Sequence, residues 1–168
     1  TYQPGGPVFY ESHGFSPDDT QILFTGNLEP GQRLEGADIY TLDLRTQKLT
    51  RLTTTIDQWD EHARYSPSGK RIVWMSSMGC NWDGRTEHLC TEYWIMNADG
   101  SNKIQLTHFN EPGYPEYTGE RISGGDIAWS PDGTKLAIRL RAIKSLTKEL
   151  AGQEESSRID LIAFTESQ

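Results

Sequence analysis

One short phrase occurs three times in the chain and constrains what it can fold into. The copies are Phe15-Ser16-Pro17-Asp18-Asp19, Tyr65-Ser66-Pro67-Ser68-Gly69 and Trp129-Ser130-Pro131-Asp132-Gly133. Each is an aromatic residue followed by a residue order that favours a type I turn, because Pro pre-sets φ and Gly tolerates a positive φ. The phrase therefore predicts a strand, a tight turn and a second strand.

The segments around the phrase repeat as well. A strand is predicted after each turn, at 22–25, 72–75 and 136–138, and another after a variable loop, at 39–42, 93–96 and 159–162. In the first two units a hairpin then leads to a closing strand, at 49–53 and 104–107. Short antiparallel strands that recur in this way are typical of propeller blades.

The chain resembles the TolB-type, WD-like β-propeller repeat. The resemblance rests on the aromatic-Ser-Pro-Asp-Gly turn, on the strands Ile39-Tyr40-Thr41-Leu42 and Tyr93-Trp94-Ile95-Met96, and on the Asn97-Ala98-Asp99-Gly100-Ser101 hairpin. It implies an all-β propeller, with four-stranded antiparallel blades at about 11–55, 61–108 and 126–168 in a single partial domain of residues 1–168. The last blade is incomplete, and residues 1–10 end a preceding blade or form a linker.

A closed propeller needs at least ~4 blades, so three blades require a partner. We expect half of a roughly six-bladed ring, whose remaining blades come from another segment or from a second copy. Propellers of this type serve as binding platforms, as gating domains of peptidases and occasionally as lyases. The resemblance therefore specifies the fold and leaves the function open.

Two cysteines, Cys80 and Cys90, lie in one loop between strands of the middle blade. The ends of such a loop are close in space, so a disulfide is geometrically easy, and the usual location of the family favours it over two free thiols. We therefore expect a periplasmic or extracellular protein. Zinc binding is disfavoured because the spacing is not that of a C-x-x-C site.

The net charge of −8, from 24 acidic and 16 basic residues, argues against nonspecific binding to nucleic acid or to an anionic membrane. No apolar run approaches the roughly 18 residues that span a bilayer. A nucleotide-binding or serine-hydrolase function lacks its motif, since neither a phosphate-binding Gly-rich loop nor a Gly-x-Ser-x-Gly elbow occurs.

The up-and-down strand order places the Ser-Pro turns on one face and every long loop on the opposite, long-loop face, at 26–37, 76–92, 108–126 and 144–157. Polar residues just ahead of each inner strand converge on that face, near the channel. They are Glu11, His13, Trp59, Asp60, Glu61, His62 and Asp126. Aromatic and imidazole side chains in the loops form a second set of binding candidates: Trp82, His108, Tyr114 and Tyr117.

Two functions remain open. The first is a non-enzymatic binding or scaffold module without a cofactor, which recognises a protein or carbohydrate partner through the long-loop face. The alternative is a metal-assisted polysaccharide lyase or hydrolase. Oligogalacturonate lyases, which resemble TolB propellers, hold a metal with histidines near the channel, and His13 and His62 match that pattern. The simplest interpretation is that these polar residues only hydrogen-bond to backbone groups at the strand ends and to water.

Overall fold

The computed structural model describes residues 8–55, 57–85, 88–143 and 156–164. The predicted segments 1–7, most of the loop 144–157 and residues 165–168 lie outside the described residues. The described chain is all-β, with one short 3-10 turn at Leu34–Gly36. None of its described helical segments has the length and apolarity that a membrane crossing requires.

Among the described residues, eleven strands form three antiparallel sheets. The first sheet has the order β1-β2-β3-β4, the second β5-β6-β7-β8 and the third β11-β10-β9. The strands are β1 (Tyr10–Phe15), β2 (Gln21–Gly26), β3 (Asp38–Asp43), β4 (Leu49–Arg51), β5 (Asp60–Tyr65), β6 (Arg71–Ser76), β7 (Glu92–Asn97), β8 (Ile104–Gln105), β9 (Arg121–Trp129), β10 (Lys135–Ile143) and β11 (Ser156–Ala163).

The third sheet differs from the sequence prediction in its bounds. Its first strand begins at Arg121 and not near residue 126, because pairing with β10 continues to Ile143 opposite Arg121. The loop that follows β8 is therefore shorter than predicted. This sheet has three strands in the described chain, as expected for an incomplete blade.

The hydrophobic core consists of two layers between neighbouring sheets. Leu23 and Ile39 of the first sheet pack against Ile72, Trp74 and Met96 of the second. The other face of the second sheet, with Val73, Met75 and Tyr93, packs against the third. The second sheet thus lies between the other two.

The Ser-Pro turns of adjacent sheets touch one another. Gly69 has a φ of 70°, and a Cβ atom there would lie 3.4 Å from Cδ of Pro17. A Cβ atom on Gly133 would likewise lie 3.7 Å from Cδ of Pro67. The glycine of the repeated phrase therefore allows both the positive φ and a close approach between blades. These contacts place the turns on one face of the molecule.

Candidate functional site

The first strand of each sheet carries one extra residue ahead of its turn. The pairing register shifts between Ser12 and Gly14 in β1 and between Glu61 and Arg64 in β5. In β9, Gly125 and Asp126 lie opposite the single residue Arg139. Such β-bulges redirect side chains and are frequent next to binding sites. Six of the predicted residues therefore lie within the first strands and not ahead of them, contrary to the prediction: Glu11, His13, Asp60, Glu61, His62 and Asp126. Only Trp59 among the predicted channel-mouth residues lies ahead of its strand.

These irregularities bring the predicted residues of three sheets together. The rings of His13 and His62 lie 6.1 Å apart, centroid to centroid. Nδ1 of His62 lies 3.7 Å from Oδ1 of Asp126, and its Nε2 lies 3.6 Å from Oε2 of Glu61. His62 adopts a φ of 54°, an uncommon conformation for a non-glycine residue. We call Glu11, His13, Glu61, His62 and Asp126 the channel-mouth cluster.

Glu61 has the most perturbed carboxyl of this cluster. Burial raises its pKa to about 7, and the neighbouring carboxyl of Glu11 acts in the same direction through a hydrogen bond and through its charge. Trp59 opposes the shift by donating its indole N–H to Oε2 at 2.9 Å. A carboxyl that titrates near neutral pH can give or take a proton, so Glu61 is suited to acid–base chemistry.

His13 is buried and its hydrogen bonding fixes its tautomer. Thr25 donates its hydroxyl hydrogen to the Asp60 carbonyl, with Oγ1 3.2 Å from the oxygen. The same Oγ1 lies 2.7 Å from Nε2 of His13, so it accepts a hydrogen bond from that nitrogen. Burial lowers the pKa of His13 to about 3. His13 is therefore a neutral donor at physiological pH.

His62 is less enclosed and remains close to three carboxyls. Burial lowers its pKa, whereas the charges of Asp126 and Glu11 act in the opposite direction. Asp126 itself is exposed, with 73% of its side-chain surface accessible. The outer part of the cluster is therefore open to solvent and available to a ligand.

Two tryptophans border the cluster. The rings of Trp59 and Trp82 lie 5.9 Å apart at an angle of 55°, and both side chains are half-buried. Trp82 was predicted as a separate loop residue, and the structure brings it to the channel mouth. The indole N–H of Trp82 donates to the Arg85 carbonyl at 2.7 Å, which fixes the ring within its loop.

The predicted disulfide between Cys80 and Cys90 is present and closes the loop that carries Trp82. Arg121 ties the same loop to the third sheet, because Nη1 donates to the His88 carbonyl at 2.7 Å and to the Asn81 carbonyl at 3.3 Å. The loop is therefore anchored at both ends of the disulfide. This anchoring positions Trp82 beside Trp59.

Asp60 does not line the channel mouth, contrary to the sequence prediction. It is 1% exposed and accepts hydrogen bonds from Thr55 at 2.9 Å and from the Trp74 indole at 3.1 Å. Burial raises its pKa to about 6. Since successive strand residues point to opposite faces, Asp60 points into the layer between the first two sheets.

The remaining loop candidates form a second group. The rings of His108 and Tyr114 stack with centroids 3.8 Å apart, and Nδ1 of His108 lies 2.9 Å from the Glu111 carboxylate. Tyr114 and Tyr117 are 44% and 37% exposed. Glu92 anchors the start of their loop, because it is 1% exposed and accepts hydrogen bonds from Thr107, Phe109 and Asn110.

Sequence reasoning missed two arginines beside the cluster. Arg64 donates from Nη1 to the His13 carbonyl at 2.8 Å, and its charge contributes to the low pKa of His13. Arg139, which faces the bulge at Asp126, lowers the pKa of His62. No motif marks either residue. Both lie beside the bulges of β5 and β9, where the register shifts.

The two histidines do not fit the metal site that the resemblance implied. Nε2 of His13 is already committed to Thr25 as a donor. Across the described ranges, no three histidine, cysteine or carboxylate side chains are arranged to hold a metal ion. We therefore derive no chemistry through a metal at this site.

A cavity of about 280 Å³ lies between the second and third sheets on the side of the Ser-Pro turns. Its walls include Arg71, Trp129 and Phe164. None of the predicted site residues lines it. It is therefore separate from the channel-mouth cluster.

No family model matches the sequence. The chain is similar in structure to an oligogalacturonate lyase in complex with manganese, with 19% identity and a TM-score of 0.52 over 83% of this chain and 38% of that one. It is also similar to the oligogalacturonate lyase of Vibrio parahaemolyticus, with 14% identity and a TM-score of 0.55 over 89% of this chain and 35% of the other. It is also similar to puromycin hydrolase, with 17% identity and a TM-score of 0.53 over 82% of this chain and 22% of that one.

These likenesses show the fold. The relatives are β-propellers, so the predicted all-β propeller class is confirmed, whereas no specific repeat family is matched. The chain spans little more than a third of the two lyases and about a fifth of the hydrolase. At these identities the function of the relatives does not transfer by itself.

Proposed function

We propose that the long-loop face binds a carbohydrate at the channel mouth. The observation that carries this proposal is the position of Trp59, which bonds Glu61 and lies 5.9 Å from the ring of Trp82. Indole faces stack on the apolar faces of sugar rings, while a carboxyl beside them exchanges hydrogen bonds with hydroxyl groups. Glu61, Glu11 and Asp126 supply those carboxyls within one cluster.

A carbohydrate suits this site better than a protein surface does. The half-buried tryptophan pair borders several convergent polar groups, and small-ligand sites combine apolar aromatic walls with a few such groups. The more exposed Tyr114 and Tyr117 are engaged with their own loop through the His108 stack and a turn. We therefore assign recognition to the channel mouth and not to these tyrosines.

A second candidate function is acid–base catalysis on a polysaccharide. It is supported by the pKa of Glu61, about 7, and by the fold likeness to proteins named oligogalacturonate lyase. In such an elimination, ionised Glu61 would take a proton from a sugar carbon, the electron pair would form a C=C bond as the neighbouring glycosidic C–O bond breaks, and the leaving oxygen would take up a proton from the protonated Glu61 or from water. His62 beside it would donate a hydrogen bond to the charge that develops. This candidate invokes no metal.

The proposal includes a location outside the cytoplasm. The Cys80–Cys90 disulfide supports it, since such bonds persist in oxidising compartments. The same bond closes the loop that carries Trp82. A periplasmic or extracellular carbohydrate-binding module is therefore our account of the protein.

The test is a fluorescence titration with a panel of neutral and acidic oligosaccharides, which includes oligogalacturonate. We expect a saturable change in tryptophan emission with at least one of them. Trp82→Ala should weaken binding about tenfold, the loss of one stacking contact, whereas Trp82→Phe should retain most of it. Tyr114→Ala is the matched control and should bind as the unchanged protein does. Equal binding by Trp82→Ala would refute the site.

Catalysis is tested separately on the oligosaccharide that binds. Glu61→Gln keeps a hydrogen-bonding group at the same position but cannot accept a proton. Retained binding with lost production of chain fragments would support the acid–base candidate. Binding without turnover by the unchanged protein would limit the function to recognition.

A further inference from the structure

The two sulfurs of the Cys80–Cys90 disulfide differ in their access to solvent. Cys90 is 2% exposed, whereas Cys80 is half-buried. Thiol–disulfide exchange begins when a thiolate attacks one of the two sulfurs, and the rate depends on which sulfur the thiolate can reach. The difference in burial therefore favours attack at Sγ of Cys80.

The two cysteines are also held differently by the backbone. Cys90 comes directly before Thr91, whose N–H donates to the Ile122 carbonyl of the third sheet at 3.0 Å. Cys80 lies in a turn after β6, where its N–H donates to the Ser77 carbonyl at 3.1 Å. Opening the disulfide would therefore leave Cys90 between two sheets and release the loop on the side of Cys80.

A guanidinium lies against the buried sulfur. Nη1 of Arg121 lies 3.4 Å from Sγ of Cys90, and its hydrogen bonds to the carbonyls of His88 and Asn81 hold it there. Within the part of the chain that the structure describes, no carboxylate forms an ion pair with Arg121. Its positive charge is therefore available to a negative charge on Cys90.

This charge determines which cysteine is the better leaving group. A buried thiolate without a counter-charge is unfavourable, whereas a neighbouring arginine stabilises it. A more stable thiolate also leaves faster in thiol–disulfide exchange. Arg121 therefore suits Cys90 to leave when Cys80 is attacked, and the difference in burial and the position of the charge favour the same direction of exchange.

We propose that Cys80 is a modification site for a small-molecule thiol, with Cys90 as the leaving thiolate and Arg121 as its counter-charge. The thiolate of the small molecule attacks Sγ of Cys80 and forms a new S–S bond. The Cys80–Cys90 bond breaks, and its electron pair remains on Sγ of Cys90. The sulfur of the small molecule is oxidised and that of Cys90 is reduced. A small thiol suits the partly covered Cys80 better than a protein thiol does, since it needs less open surface.

The modification would release the loop that carries Trp82. The N–H of Trp82 donates to the Cys80 carbonyl at 2.9 Å, so the ring moves with Cys80 and away from Trp59. The exchange step itself does not depend on the proposed carbohydrate binding. A loss of that binding on modification rests on the proposed function, and the test below therefore follows the sulfur atoms and not a sugar.

The first test locates the attacked sulfur, with glutathione as the probe. The oxidised full chain is treated with excess glutathione at pH 7.5, quenched in acid at early times and alkylated with N-ethylmaleimide. Trypsin cleavage after Arg85 separates the two cysteines for mass spectrometry. We expect glutathione on Cys80 and the maleimide on Cys90. Glutathione on Cys90, equal amounts on both cysteines, or an unchanged disulfide would overturn the proposal.

The second test measures the contribution of Arg121 to the rate of opening. Arg121→Gln keeps a hydrogen-bond donor but removes the charge, and should slow the reaction with glutathione about fivefold. Arg121→Lys keeps the charge and should retain most of the rate. Arg85→Gln removes a charge from the same loop and should change the rate about twofold at most. A purely structural Arg121 predicts the opposite, because a loosened loop exposes Cys80. Faster opening in Arg121→Gln would therefore refute the proposed role.

Discussion

The indole N–H of Trp59 donates to the carboxyl of Glu61, with 2.9 Å between Nε1 and Oε2. This bond links the aromatic border of the channel mouth to its most perturbed acid. Trp59 and Glu61 are two residues apart in the sequence, on either side of the buried Asp60. A change in the charge of Glu61 therefore alters the hydrogen bond that the Trp59 indole makes.

The first prediction concerns the pH dependence of stability through Glu61. Its pKa rises on folding from 4.5 to about 7, so between these values the folded state holds a proton that the unfolded state has lost. The free energy of unfolding should therefore fall as pH rises through this window. Glu61→Gln removes that contribution. Urea unfolding at pH 5 and at pH 7.5 should show the unchanged protein losing stability relative to the variant, and parallel behaviour would contradict the raised pKa.

The second prediction has the opposite sign and concerns His13. Burial lowers its pKa from 6.5 to about 3, so the unfolded state takes up a proton first as the pH falls. This residue therefore destabilises the fold progressively below pH 6.5. His13→Gln keeps a donor for Thr25 but cannot be protonated. Unfolding at pH 7 and pH 4 should show a smaller acid-induced loss in the variant, and an equal loss would refute the buried neutral state.

The third prediction concerns the glycine of the Ser-Pro turn. Gly69→Ala introduces a Cβ at a φ of 70° and 3.4 Å from the ring of Pro17. We expect the free energy of unfolding to fall by about 1 kcal/mol, mainly from backbone strain. Lys70→Ala, at the next and exposed position, is the control and should change little. An unaffected Gly69→Ala protein would mean that the blade-to-blade turn contact is not required.

The fourth prediction concerns the buried carboxyl below the tyrosine loop. Glu92→Ala leaves the Thr107 hydroxyl and the backbone N–H groups of Phe109 and Asn110 without their acceptor. Stability should fall by about 3 kcal/mol. Hydrogen exchange of residues 107–110 should accelerate. Glu120→Ala removes the same charge from an exposed position, and a comparable loss in that variant would attribute the effect to charge alone.

The fifth prediction links the disulfide to ligand binding. Replacing both Cys80 and Cys90 by Ser should lower stability by about 2 kcal/mol, as expected for a short closed loop. It should also weaken carbohydrate binding about as much as Trp82→Ala, because the loop positions that ring. Binding at full strength without the disulfide would show that Trp82 needs no such support.

The sequence was sufficient to predict the strands and sheets. The repeated turn phrase located the strands of all three sheets within a few residues, and the loop geometry pointed to the Cys80–Cys90 pair. The early start of β9 was missed because residues 121–125 contain two glycines and no alternating apolar pattern. Its pairing partner in β10, and not its own composition, makes that segment a strand.

The site was only partly predictable, because β-bulges leave no clear mark in a sequence. Without the extra residue in β5, strand alternation cannot tell that Asp60 faces the core while Glu61 and His62 face the channel mouth. The position of Trp82 beside Trp59 was not predictable either, because it depends on the disulfide and on Arg121, which anchor its loop. The roughly six-bladed ring and the location outside the cytoplasm stay predictions.

The most direct test of this account is a calorimetric titration of the unchanged, oxidised protein with the oligosaccharide panel at pH 7. We expect saturable binding of at least one oligosaccharide, with one site per chain, and weaker or no binding by a Trp59→Ala and Trp82→Ala double variant. No heat of binding for any member of the panel, or undiminished binding by the double variant, would contradict the assignment of the channel mouth as a carbohydrate site.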